Sequence, residues 1–225
     1  MTDGDGDLQK ALIRAAAGAV GVAIGLFARG VTAVQAVWAG CGPEPVQRVY
    51  FANHTSNGDF VLVWTVLPDL MKRVTRPVAA ADYWLTSGLR AFIGREVFNA
   101  VLIDRRAEAR VVDPVGQMVE ALDEGASLIL FPEGKRNVTE AALLPFKTGL
   151  YHVAKARPGV DLVPVWIANL NRVMPKGEVI PIPLVCTVTF GAPMHIEEGE
   201  AKEAFLARAE AALRGLGPVG ARGAL

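Results

Sequence analysis

Gln47-Arg48-Val49-Tyr50-Phe51-Ala52-Asn53-His54 is the stretch that decides the fold class. A short apolar run reads as a strand, and here it leads directly into Asn53-His54. Five more runs of the same kind follow, over residues 77–81, 101–103, 127–131, 162–167 and 184–190. Helical patterns separate several of them, over residues 57–71, 113–124, 148–155 and 200–213. Short continuous apolar strands alternating with helices predict an α/β fold with a largely parallel central sheet flanked by helices. The last helical pattern gathers Phe205, Leu206, Ala209 and Leu213 on one face, which predicts that it packs on the sheet. Residues 174–183, rich in Pro and Gly, read as a surface loop, and the Gly-rich tail after Gly215 reads as frayed.

The chain has 225 residues and zero net charge, from 23 Lys+Arg and 23 Asp+Glu. Apolar residues make up 52% and charged residues 20%, and the mean hydropathy is +0.31. That excludes a disordered chain, and the charge balance gives no general attraction to nucleic acid. Cys41 and Cys186 are too few and too far apart for a disulfide framework or a zinc cluster, and read as small buried hydrophobes.

Residues 1–9 are polar and acidic, and residues 15–28 are fourteen in a row without a charge. Arg29-Gly30 then interrupts, and a second apolar run reaches Gly40. A spanning helix wants about 20 apolar residues, more than the first run supplies. A break at Arg29-Gly30 predicts two short apolar helices lying in one leaflet, with Arg14 and Arg29 reaching headgroups and Trp38 at the interface. The alternatives are one tilted transmembrane helix, a helix packed on the protein's own core, and a cleaved signal peptide. Residues 1–42 are thus expected to be a membrane-associating two-helix segment and residues 43–225 the α/β domain.

His54 and Asp59 stand five positions apart. In a regular helix they would point about 140° apart, so they meet only if the chain turns between them. Ser56-Asn57-Gly58 offers such a turn, with Gly58 free to take an unusual backbone. A carboxylate on one imidazole nitrogen fixes the tautomer and leaves the other nitrogen as a base. Ser56-Asn57-Gly58-Asp59 also reads as a helix N-cap with an acid at the third helical position. Phe131-Pro132-Glu133-Gly134-Lys135-Arg136 follows another apolar strand, where α/β proteins bind ligands. Gly134 allows close approach, while Lys135 and Arg136 offer donors to an anion. Read alone, the segment is equally a charged surface turn. Ile103-Asp104-Arg105-Arg106 repeats the pattern, either as a phosphate clamp with Lys135 and Arg136 or as a salt-bridged loop, and Lys147 is a weaker addition. His152 reads as structural and His195 as exposed. No serine elbow and no metal-ligand spacing is present in the sequence, so neither a serine hydrolase nor a metal site is expected.

Together these segments resemble the glycerolipid acyltransferase superfamily over about residues 46–195. His54 and Asp59 match its His-x4-Asp block. Asn99 through Arg105 match a block that usually opens on Gly and ends Ile-Asp-Arg, with Asn99 in place of the Gly. Phe131 through Arg136 match Phe-Pro-Glu-Gly-Thr-Arg, with Lys135 in place of the Thr. Val163-Pro164-Val165-Trp166-Ile167 match a fourth, strand-forming block. The resemblance implies that His54 is the general base and Asp59 its orienting partner. It implies that Arg105, Glu133, Gly134, Lys135, Arg136 and Pro164 bind the acceptor. It also implies transfer of an acyl chain from acyl-carrier protein or acyl-CoA to a membrane lysophospholipid, most simply 1-acylglycerol-3-phosphate. No cofactor or metal is expected, no nucleic acid, and attachment is expected at the cytoplasmic face of the inner membrane, monotopic or peripheral. A different lysolipid acceptor, a thioester or lipid hydrolase using the same dyad, and a non-catalytic lipid-binding protein are the alternatives.

Overall fold

The computed structural model describes residues 3–104, 113–169 and 185–218. In chain order the elements are α1 (Asp3–Thr32), β1 (Gln35–Trp38), β2 (Arg48–Ala52), α2 (Asp59–Val66), α3 (Asp69–Val74), β3 (Thr75–Ala80), α4 (Ala81–Trp84) and α5 (Gly88–Phe92). A single wide turn (Ile93–Val97) leads to β4 (Val101–Ile103), α6 (Pro114–Asp123), β5 (Ser127–Leu130), α7 (Gly149–Ala156), β6 (Asp161–Ala168), β7 (Thr187–Phe190) and α8 (Lys202–Gly215).

The strands form one sheet in the order β1-β7-β6-β2-β5-β3-β4. Among the described strands every neighbouring pair is parallel except β6–β7, which is antiparallel. The apolar runs are continuous because helices cover both faces of the sheet. Alternation then sorts each run between two cores. Val49, Phe51, Leu128, Leu130, Leu162 and Trp166 face α6, α7 and α8, with Phe205, Ala209 and Leu213 buried against them. Tyr50, Ala52, Ile129, Val163, Val165 and Phe190 face Phe60, Leu62 and Val63 of α2 and Ala28 of α1.

Two expectations are corrected. The helix read over residues 57–71 is two helices, parted at Leu67, whose backbone is extended (φ −65°, ψ 146°). The next residue is Pro68, and a proline disfavours helical geometry in the residue before it. The two-helix N-terminus is one helix followed by a strand. Gly30 lies inside α1, and the chain turns instead at Ala33, which takes a left-handed φ of 43°. Residues 35–38 then pair with β7, so the sheet begins upstream of residue 43. Arg29 donates to Thr65 O at 3.1 Å, one of the carbonyls left free at the end of α2. Trp38 stacks on Phe190 at 4.1 Å between ring centroids.

The stretch from Gly6 to Thr32 is long and apolar enough to cross a membrane by length and composition. Its buried positions, Ala17, Gly21, Ala28 and Thr32, form one stripe against the body. Leu8, Leu12, Val22, Leu26 and Phe27 are exposed. The loop read over residues 174–183, Arg105, Arg106 and the tail from residue 219 lie outside the described residues.

Candidate active site

β2, β5, β3 and β4 are consecutive in the sheet and parallel, so their C-terminal ends line up along one edge. A cleft of about 410 Å³ runs along that edge. Val78, Ile103, Leu130, Leu150, Phe60 and Trp84 give it apolar walls. His54 stands at one side, and Lys135, Arg136 and Lys147 line it as well.

β2 is followed by Asn53, whose buried side chain continues the strand's pairing with β6. Its Nδ2 donates to Ile167 O at 3.0 Å, and Ile167 N donates to its Oδ1 at 2.7 Å. This amide holds the chain in place one residue before the imidazole. His54 precedes the first turn of α2 and Asp59 opens it, so the helical 140° never applies. Asp59 Oδ2 accepts from His54 Nδ1 at 2.9 Å, Thr55 N at 2.6 Å and Ser56 N at 2.8 Å. Gly58 supplies no unusual backbone: its φ is −88°, and it is the residue preceding the helix. Asp59 is the first residue of α2 and not its third, and no side chain caps the helix; the carboxylate serves the imidazole instead.

With two backbone N–H groups already donating to Asp59 Oδ2, the imidazole presents Nδ1–H to that oxygen. Nε2 then carries the lone pair. Asp59 is fully buried, and the His54 side chain is 19% exposed. The imidazole stacks on Phe131, with ring centroids 4.3 Å apart.

The turn after β5 closes by Gly134 N donating to Phe131 O at 3.0 Å. Gly134 adopts φ +70°, and a Cβ there would sit 3.1 Å from Lys147 Cγ. The positive φ favours glycine, and a Cβ would also need the Lys147 side chain to give by a few tenths of an ångström. Glu133 is 1% exposed and does not line the cleft. Its Oε1 accepts from His54 N at 2.8 Å and its Oε2 from Leu144 N at 2.9 Å. Burial raises its carboxyl above the ordinary range, against the pull of those two donors and of His54.

Of the residues read from sequence, the structure brings His54, Gly134, Lys135 and Arg136 to the cleft, with Asp59 behind His54. Pro164 is not brought there. It lies buried in the middle of β6, opposite Phe51. Asn99 is not there either. Its φ is +47°, a left-handed turn before β4 of the kind glycine favours and asparagine tolerates. His152 lies on the exposed face of α7. His195 pairs with Asp161 at 3.0 Å at the start of β6, at the other edge of the sheet. Sequence reasoning passed over Asn53, Asn137, Tyr83 and Trp84. The signal for Asn53 was its place between a strand and the histidine. Among the described residues no group of three or more His, Cys, Asp or Glu is gathered to hold a metal.

Residues 42–168, more than half the chain, match the model of the family described as Acyltransferase. The chain belongs to that family. The match contains His54, Asp59 and the Phe131–Arg136 turn. Over 131 residues it is 32% identical to the 1-acyl-sn-glycerol-3-phosphate acyltransferase of Salmonella typhimurium, covering 55% of this chain and 48% of that one. Over 137 residues it is 31% identical to the protein of the same name from Escherichia coli, covering 55% and 50%. The chain thus spans about half the length of these curated relatives. Its structure is similar to the crystal structure of the 1-acyl-sn-glycerophosphate (LPA) acyltransferase PlsC from Thermotoga maritima. The TM-score is 0.65 at 23% identity, covering 85% of this chain and 75% of that one. That likeness establishes the shared α/β fold.

Proposed function

We propose that this acyltransferase moves an acyl chain from acyl-carrier protein or acyl-CoA to the free hydroxyl of 1-acylglycerol-3-phosphate, giving phosphatidic acid. The observation that carries the reading is the His54–Asp59 hydrogen bond beside an apolar cleft lined by Lys135, Arg136 and Lys147. The apolar walls suit a fatty chain, the cations suit a phosphate, and Nε2 suits a hydroxyl proton. The names of the relatives point to the same acceptor.

In the proposed step His54 Nε2 takes the acceptor's hydroxyl proton as its oxygen attacks the thioester carbonyl. The tetrahedral intermediate collapses, the C–S bond breaks, and the departing thiolate receives the proton from the imidazolium. Asp59 stabilises the imidazolium while it exists. No acyl-enzyme forms. The free apolar face of α1 rests in the cytoplasmic leaflet of the membrane that supplies the acceptor.

The test is transfer from a labelled acyl thioester by detergent-solubilised protein, with lysophosphatidic acid, other lysophospholipids or no acceptor. Product with lysophosphatidic acid, absent in His54→Ala, supports the proposal. Product only with another lysolipid keeps the chemistry and assigns the acceptor to the Lys135 region, where the family pattern has Thr. Thioester loss without acceptor makes the protein a hydrolase.

A further inference from the structure

The main chain of His54 is gripped on both sides. Its N–H donates to buried Glu133 Oε1 at 2.8 Å, and its carbonyl accepts from Asn137 N at 2.6 Å. The other oxygen of Glu133 accepts from Leu144 N at 2.9 Å. The strip from Asn137 to Lys147 is tied down further. Asn137 Nδ2 donates to Ala141 O at 2.6 Å, Asn137 Oδ1 accepts from Thr139 N at 3.0 Å, and Lys147 N donates to Pro132 O at 2.7 Å. One carboxylate therefore bridges the peptide that carries the imidazole and the strip that ends at the cleft cation Lys147.

Glu133 is poorly placed to be an acceptor ligand. It is 1% exposed, both oxygens are occupied by backbone donors, and a carboxylate repels a phosphate. We propose that Glu133 is a positioning residue: it holds the His54 main chain in register with the Asn137–Lys147 strip, and so sets the separation between Nε2 and the headgroup cations. The inference rests on the acyl-transfer reading above. It differs from the role that the family resemblance implied for this glutamate.

The experiment compares wild-type protein, Glu133→Gln and Asn137→Ala as full chains in detergent. Initial rates are measured with labelled acyl thioester over a range of lysophosphatidic acid concentrations. Gln keeps the shape and one acceptor oxygen, but turns an amide toward the other backbone N–H. Misplacing a reacting group by about 1 Å costs up to about 100-fold. Glu133→Gln should therefore lower kcat by about 10- to 100-fold and leave KM for lysophosphatidic acid within about twofold. In ¹⁵N-histidine-labelled protein the His54 ring signals, assigned with His54→Ala, should shift in Glu133→Gln while those of His152 and His195 stay. A tenfold rise in KM at unchanged kcat would overturn the inference, and so would unmoved His54 signals. If wild-type protein turns over no lysolipid, the functional reading fails, yet the ring signals still test the clasp. Should Glu133→Gln not fold, Asn137→Ala loosens the same strip: a lower kcat at unchanged KM supports the clasp, and an unchanged kcat refutes it.

Discussion

Replacing Asp59 by Asn separates the charge of the dyad from its geometry. Three donors, His54 Nδ1, Thr55 N and Ser56 N, all converge on Oδ2. Oδ1 is buried and has no hydrogen-bond partner among the described residues. Asn can place its carbonyl oxygen at the Oδ2 position and its amide at the Oδ1 position. The three hydrogen bonds and the imidazole tautomer then survive, and only the negative charge is lost. With charge centres roughly 4 Å apart and an effective dielectric of about 20, that charge stabilises an imidazolium by about 4 kcal/mol. In rate this is about 10³-fold. The stability terms oppose each other. A buried amide with no acceptor costs about 1–3 kcal/mol, while removal of a buried charge relieves desolvation. Single-turnover transfer from a labelled acyl thioester should thus be slowed about 10³-fold. The melting temperature should stay within about 5 °C of wild type. Asp59→Ala should be worse in both respects, since Thr55 N and Ser56 N lose their acceptor inside the protein. Transfer by Asp59→Asn within tenfold of wild type would refute the electrostatic role. Failure of the variant to fold would refute the claim that one oxygen carries the geometry.

Three further outcomes follow from the cores and from α1. Removing residues 1–16, whose described positions from Gly6 to Ala16 are all exposed, should leave the melting temperature in place and reduce co-sedimentation with phospholipid vesicles; undiminished sedimentation would place the anchor elsewhere. Removing residues 1–40 should unfold the protein, because it takes β1 from β7 and Ala28 from the core; a cooperative melt in that variant would refute the integration of β1. Burial pushes the Tyr50 phenol from 10.0 up to about 12. The native state then holds that proton more tightly than the unfolded chain. Stability should therefore fall as pH rises from 10 toward 12, by about 3 kcal/mol. Urea titrations of Tyr50→Phe should lack that component, and an identical loss in the variant would assign it to other groups.

The parts of this fold that depend on local pattern were legible. The run at residues 101–103 is β4, the run at 127–131 contains β5, and the helix at 113–124 is α6 within a residue at each end. These are decided by neighbours in sequence: apolar runs that need cover on both faces, and Asp113 capping the helix by accepting from Val115 N and Gly116 N. What was missed is non-local. Val37 and Trp38 read as the end of an apolar helix until β7, about 150 residues away, offers Thr189 and Phe190 as partners. Arg29 read as a helix breaker because its partner, the carbonyl of Thr65, is a backbone atom with no signature in side-chain pattern.

The site divides along the same line. His54 and Asp59 carry their chemistry in their own side chains, so spacing and residue type sufficed to nominate them. Glu133 does its work on backbone atoms of His54 and Leu144, and nothing in its type distinguishes a buried clasp from a ligand on the cleft wall. Asn99 shows the same blindness from the other side. It departs from a glycine pattern, yet its φ of +47° and the bond from Arg76 Nε to its carbonyl at 2.7 Å make it a turn residue. Asparagine is among the few other residues that tolerate that backbone, so the exchange keeps the turn and leaves the acceptor question to Lys135. Lys135 lines the cleft with Arg136 and Lys147. A threonine there would offer a hydroxyl where this chain offers a cation. Under the proposed function, headgroup preference would be a matter of charge placed along one edge of the cleft, while His54 would take the proton of whichever hydroxyl is brought to it.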